Sequence, residues 1–202
     1  MSKLYIDTQL KSRVVLHPSQ MNNDIYINLK ESLVKKVEGK CVNNHGFVVT
    51  VYEIVDHSSG EISDNSTLGS AIYTVTFSCR LCKPLVNKEI ICKVDRMNQH
   101  LISVVNGPLI VIIPMDRLNE SNFFLDHRDN IRYKKDENNS EILKQNDYVK
   151  VMLETISFDD KDTKIKAIGI LKDMATKKEE KLFQTEQYKD GETEDVVVKV
   201  ED

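Results

Sequence analysis

The chain has 202 residues and a mass of 23.2 kDa, which suits one large domain or two small ones. Hydrophobic residues make up 40% and charged residues 30%, enough apolar material for a packed core and too much charge for a bilayer-embedded protein. No run approaches the roughly 18 apolar residues that span a bilayer, and the opening MSKLYIDTQLKSR lacks the apolar stretch of a secretion signal, so an intracellular protein without a membrane partner is expected.

The formal charge of −4 is unevenly placed. Six lysines and ten acids fall between Lys172 and the end, which leaves basic and acidic side chains equal, at 22 each, in the preceding 171 residues. A neutral body with an acidic tail does not exclude nucleic acid as a partner.

In chain order, LYIDTQLKSRVVLHP precedes a segment in which Ile25, Leu29, Leu33 and Val37 recur every four residues. That spacing predicts an amphipathic helix, which Gly39 ends. CVNN and HGFVVTVYEIV read as two strands joined by the turn residues Asn43, Asn44 and Gly46. A polar connection, HSSGEISDNSTLGS, leads to one long strand, AIYTVTFSCRLCKP. Pro84 is the expected domain boundary, because proline cannot donate to a central ladder.

The second half reads as EIICKVDRM, HLISVV, PLIVIIP, DYVKVMLETISFDD and TKIKAIGILK, with Gly107 and Pro108 turning one hairpin. Five short strands in roughly 90 residues fit a five-stranded OB-fold barrel. The stretch from Asp126 to Asp147 has little apolar content and is expected to be a long loop. The fold class is therefore mainly β: an α+β N-terminal domain of sheet plus helix over residues 1–83, the barrel over 84–171, and a solvated acidic tail over 172–202. Within that tail, Val196, Val197, Val198 and Val200 form a β-prone run that suits a docking strand less well than a disordered segment.

A resemblance rests on particular residues. Leu16-His17-Pro18, the helix, Val37-Glu38-Gly39-Lys40-Cys41, Gly46-Phe47-Val48-Val49 and Ile54 are followed by Gly60, Gly69, Ala71 and Pro84. Asn106-Gly107-Pro108-Leu109, Asp147-Tyr148-Val149-Lys150-Val151 and Ile165 to Ile170 come later. This order resembles the stalk-subunit family of multisubunit RNA polymerases, comprising the seventh subunit of eukaryotic RNA polymerase II and its archaeal counterpart. The resemblance covers about Leu4 to Leu171. It implies a non-catalytic polymerase subunit with a tip domain docked on the core subunits and an OB barrel near nascent single-stranded RNA. It also leaves room for a fourth-subunit-like partner. The site would be the nucleus or, for a virus-encoded polymerase, the host cytoplasm and virion. Gly39, Lys40, Gly46, Gly60 and Gly69 match the family's docking segment.

For RNA, Lys93, Arg96, Arg117, Arg132, Tyr133 and Lys134 fall in or beside the barrel strands and supply cations for phosphates and a ring for stacking. Met97-Asn98-Gln99-His100 stands where the family carries more glycine and aromatic character, so weak binding is expected. A free-standing OB-fold protein of translation or RNA decay is the alternative, and the N-terminal domain argues against it.

Other chemistries find less support. Cys79-x-x-Cys82 with Cys92 and His100 offers one half of a zinc ribbon, and residues three apart on a strand point to opposite faces. Neither a metal nor a disulfide is expected of the four cysteines, which read as reduced thiols. Asp159, Asp160 and Asp162 lack the glycine and terminal glutamate of a calcium loop and read as a solvated hairpin tip. The five histidines lie in separate segments, and no phosphate loop or nucleophile motif occurs, so no catalytic residue and no cofactor is assigned.

Overall fold

A computed structural model of the chain describes residues 3–42, 44–62, 69–127, 130–136 and 139–188. The first unit is a twisted antiparallel sheet built on β1 (Tyr5–Leu16), β2 (Lys40–Val42), β3 (Gly46–His57), β4 (Glu61–Ile62) and β5 (Ala71–Cys82), in the order β1-β5-β3-β2 with β4 on β5. The helix α1 (Ile25–Val37) covers one face. Its four-residue spacing buries Leu29, Leu33 and Val37 against Leu10, Val14, Val51, Val75 and Phe77, the last five supplied by alternate positions of the strands. Gly39 takes φ +73°, the left-handed conformation that ends a helix with little strain in glycine, and its N–H donates to Val48 O at 2.9 Å.

The second unit is a closed barrel of β6 (Glu89–Met97), β7 (Leu101–Asn106), β8 (Leu109–Pro114), β12 (Tyr148–Ser157) and β13 (Ile165–Met174). Every pairing is antiparallel except β8 with β13, and β6 closes on β12. That order is the OB-fold Greek key. Alternate residues fill the barrel: Val94, Ile102, Val104, Val111, Ile113, Val149, Val151, Leu153 and Ile165 are buried. These residues occupy every second position of their strands, as a filled barrel requires.

Leu4, Tyr5, Cys41, Phe47 and Cys82 of the first unit belong to the barrel's core cluster, so the two units share apolar packing. The Tyr5 hydroxyl donates to Asn106 Oδ1 at 3.2 Å, and Asn106 Nδ2 donates to Ile91 O at 2.7 Å, both buried. Cys41 N–H donates to Asp162 O at 2.7 Å, and Lys161 N–H donates to Cys41 O at 2.9 Å. The turn of the β12–β13 hairpin, with Lys161 at φ +69°, thus clasps β2 through its backbone while Asp159 and Asp160 stay exposed, as a solvated tip requires.

Two expectations need correction. The stretch from Asp126 to Asp147 is not one long loop: β10 (Ile131–Asp136) pairs with β9 (Phe123–Leu125) on one side and β11 (Asn139–Ile142) on the other. Few apolar residues suffice there, because Phe123, Ile131 and Leu143 turn inward to the barrel core and Tyr133 packs partly against it. The tail expected from Lys172 instead continues β13 to Met174 and then forms α2 (Lys177–Tyr188). Thr176 opens this helix: its N–H and hydroxyl both donate to Glu179 Oε2, at 2.7 and 2.8 Å, a local cap that charge counting does not reveal. The valine run from Val196 to Val200 lies outside the described residues.

Candidate nucleic-acid interface and docking surface

The outer surface of the barrel is chemically divided. On β7, β8 and β13, the strands cross-pair Val105 with Ile110, Ile110 with Lys166 and Ile112 with Ile168, all facing outward. Ile112 and Ile168 are 39% and 42% exposed. OB barrels commonly present oligonucleotides on their second and third strands, yet this face is mainly aliphatic, with Lys166 and Ser103 among its outward residues, and these three strands carry no aromatic ring for base stacking. On β6 and β12 the outward pairs are Lys93 with Tyr148 and Ile91 with Lys150. Cations and a ring therefore meet on the latter surface.

The six residues assigned to RNA divide into three places. Lys93 and Arg96 lie on β6, Arg96 exposed and 3.8 Å from Asp95. Arg132, Tyr133 and Lys134 lie on β10, outside the barrel proper. The 144–147 turn joins these two places, since Val94 N–H donates to Asp147 O at 2.8 Å and Asn146 N–H donates to Val94 O at 2.9 Å. A groove of about 310 Å³ runs between them, lined by Met97, Asn98, Gln99, Asn130, Ile131 and Ile142. Arg117 stands apart, in a short 3-10 turn at Met115–Arg117, ion-paired with Glu154 of β12.

Several of these groups already have protein partners. Arg132 lies 3.5 Å from Asp126 Oδ2, and its guanidinium donates to Ser140 Oγ at 2.9 Å. The Tyr133 hydroxyl donates to Glu141 Oε2 at 2.7 Å; that bond, then burial, pushes its pKa up to about 12. Glu141 is held below the usual carboxylate range, first by Lys135 at 2.6 Å and then by Tyr133. Sequence reasoning missed Tyr148 and Lys150 as surface residues. The in-out alternation of Asp147-Tyr148-Val149-Lys150-Val151 carried that signal, because it puts both on the face opposite buried Val149 and Val151.

The five residues matched to the docking segment occupy opposite ends of the sheet. Gly39, Lys40 and Gly46 sit at the barrel end. Lys40 Nζ donates to the Lys35 and Lys36 carbonyls at 2.8 and 3.4 Å and so caps α1. Gly46, at φ +133°, lies against the Cys82 carbonyl so closely that a Cβ would collide with it. Gly60 and Gly69 lie at the far end, about 36 Å away at the rise of an extended strand of β5's length. A Cβ on Gly60 would come within 2.6 Å of the Tyr73 ring, so its small size serves packing within the sheet unit.

That far end carries exposed apolar side chains. Val15 is paired with Ile72, Ile62 with Ala71, and Tyr26 at the start of α1 donates its hydroxyl to Ile54 O at 2.7 Å. Ile27 and Ile62 are 59% and 63% exposed, and Val15, Tyr26 and Val55 are also exposed. His57 lies between Tyr26 and Tyr73, with ring centroids 5.8 and 6.2 Å away.

The cysteines are unbridged and buried. Cys79 faces the core beneath α1, whereas Cys82 faces the shared core with Cys41 and Cys92, so the Cys-x-x-Cys pair is divided between two cores. Burial pushes the Cys41 and Cys79 thiols up to about 11 and Cys92 higher still. Such raised values keep Cys41, Cys79 and Cys92 as neutral thiols at physiological pH, unsuited to nucleophilic attack. Among the described residues no three His, Cys, Asp or Glu side chains cluster as metal ligands.

Comparison with known proteins bears on the whole arrangement. Residues 11–66 match the model of the SHS2 domain found in the N terminus of Rpb7p, Rpc25p and MJ0397. A protein of Acanthamoeba polyphaga mimivirus, described as a DNA-directed RNA polymerase subunit, is 40% identical over 184 residues, covering 91% of this chain and 90% of its own length. The chain belongs to the Rpb7-type family of DNA-directed RNA polymerase subunits. RNA polymerase II subunit RPB7 of Glycine max is 27% identical over 110 residues, 54% of this chain and 61% of that subunit. The Dictyostelium discoideum subunit is 21% identical over 170 residues, 84% of this chain and 96% of its own. The family membership thus extends across both the sheet unit and the barrel.

Proposed function

We propose that this chain is a non-catalytic subunit of a multisubunit DNA-directed RNA polymerase, which docks on the core through the far end of its sheet unit and guides nascent RNA along its barrel. The observation that carries the reading is 40% identity over 91% of the chain to a protein described as a polymerase subunit. The shared core supports it mechanically: a joint built from Tyr5, Phe47, Cys82 and the Cys41–Asp162 clasp couples a docked unit to the barrel. Exposed Ile27, Ile62, Tyr26 and Val15 favour a protein partner at the far end, since apolar surface there gains from being covered. The aliphatic face of β7, β8 and β13 suits a further protein partner of the fourth-subunit kind. The RNA surface we assign is β6 with β12 and the adjoining β10, where Lys93, Arg96, Tyr148 and Lys150 gather.

RNA binding of this sort is weak, tolerant of sequence and dependent on salt, because each neutralised phosphate releases counterions. Changing Lys93 and Arg96 together to Ala flattens the salt dependence of binding to a single-stranded oligouridylate by about 1.4 in slope, at about 0.7 per phosphate. An unchanged slope in that double variant would remove β6 from the RNA path. A nuclear site, or host cytoplasm and virion for a virus-encoded polymerase, follows from the polymerase it joins.

A further inference from the structure

The helix α2 lies on the surface just assigned to RNA. Its Phe183 is 5% exposed and meets the Tyr148 ring edge-on, with centroids 5.2 Å apart. Glu179 Oε1 is 3.1 Å from Lys150 Nζ, and the two side chains are about one-fifth exposed. Ala175 N–H donates to Tyr148 O at 2.9 Å, which fixes the helix start over β12. Ile91 faces outward opposite Lys150 yet is buried, and α2 is the helix packed against β6. One turn of helix thus takes up both the ring and a cation of the pairs Lys93–Tyr148 and Ile91–Lys150.

We propose that α2 is an autoinhibitory strap, seated on the barrel by Phe183 and Glu179, that competes with single-stranded RNA for Tyr148 and Lys150. The inference rests on the assignment of RNA to β6 and β12. The chemistry of competition is direct, because the Glu179 carboxylate stands where a phosphate oxygen meets Lys150 and Phe183 stands where a base meets Tyr148. RNA binding and seating of α2 are then mutually exclusive, and the apparent affinity is reduced by the fraction of molecules with the strap closed.

Fluorescence anisotropy of a labelled oligouridylate, read over a salt series on the full chain and its E179Q and F183S variants, tests this. Both variants should bind about fivefold more tightly than the wild type, with a slope steeper by about 0.7 as Lys150 becomes available to one phosphate. Adding K150A to F183S should abolish the gain. In the wild type, hydrogen exchange at the α2 amides should accelerate when oligouridylate is added, a readout that needs no variant. Variants that bind with wild-type affinity and slope, or α2 amides unchanged by bound RNA, would overturn the strap while leaving the RNA assignment standing. Failure of all these proteins to bind the oligonucleotide would overturn both.

Discussion

Tyr5 and Asn106 show how much rests on single polar contacts at the joint. Both are buried between the two units, and the hydroxyl of one fills the amide oxygen of the other. Tyr5→Phe leaves the ring in place and withdraws that donor, so it should cost about 1–2 kcal/mol, read as a lowered urea midpoint with an unchanged slope. Leu33, fully buried between α1 and the sheet, should cost about 2–5 kcal/mol as Leu33→Ala because a cavity replaces the side chain. At this scale the cores were legible, since alternation marks Val149, Val151 and Leu153, and four-residue spacing marks Leu29 and Leu33. The contacts of Tyr5 with Asn106 and of Cys41 with Asp162 were not legible: partners about a hundred residues apart leave no periodic trace. The packing around the glycines matched to the docking segment was hidden for a related reason. Sequence shows that Gly46 and Gly60 are small, whereas the Cys82 carbonyl and the Tyr73 ring that require it come from another strand.

Elements were recovered where hydrophobic period was strong and lost where side chains at the surface decide. The β10 strand reads IRYKKD, with charges that suggest a loop, yet cross-strand partners stabilise it: Lys135 with Glu141, Tyr133 with Glu141 and Arg132 with Ser140. The α2 helix was hidden in a charged stretch because its seat, Phe183 on Tyr148, needs a single ring. Its anchoring should depend on pH. Burial raises the Glu179 pKa, but the hydrogen bonds from Thr176 and the Lys150 charge outweigh it and leave the group below the usual carboxylate range. A lowered folded pKa gives stability that is present above the ordinary carboxylate pKa and is lost as pH falls through the lowered value. Exchange protection of α2 should therefore hold at neutral pH and fall on acidification below the ordinary carboxylate range, before the barrel amides lose theirs. Equal loss in E179Q and wild type would assign the transition to another group.

For the whole molecule, the shared core predicts cooperative behaviour. Because the Tyr5, Phe47 and Cys82 side chains belong to the barrel's cluster, the sheet unit and barrel should unfold in one transition, coincident by far-ultraviolet dichroism and tyrosine fluorescence. Two separate transitions would show the joint to be weak. Such a body has a barrel at one end and exposed Ile27 and Ile62 at the other, with about 36 Å of strand between the ends. The central claim, that the far end holds this chain on a polymerase core, is tested most directly by quantitative affinity purification from the native source. The tagged wild type should recover the large polymerase subunits in near-equal amount. The I27D/I62D double variant, checked for an unchanged melting transition, should lose them. Recovery of the same subunits by that folded variant, or a wild-type preparation free of polymerase subunits, would contradict the account.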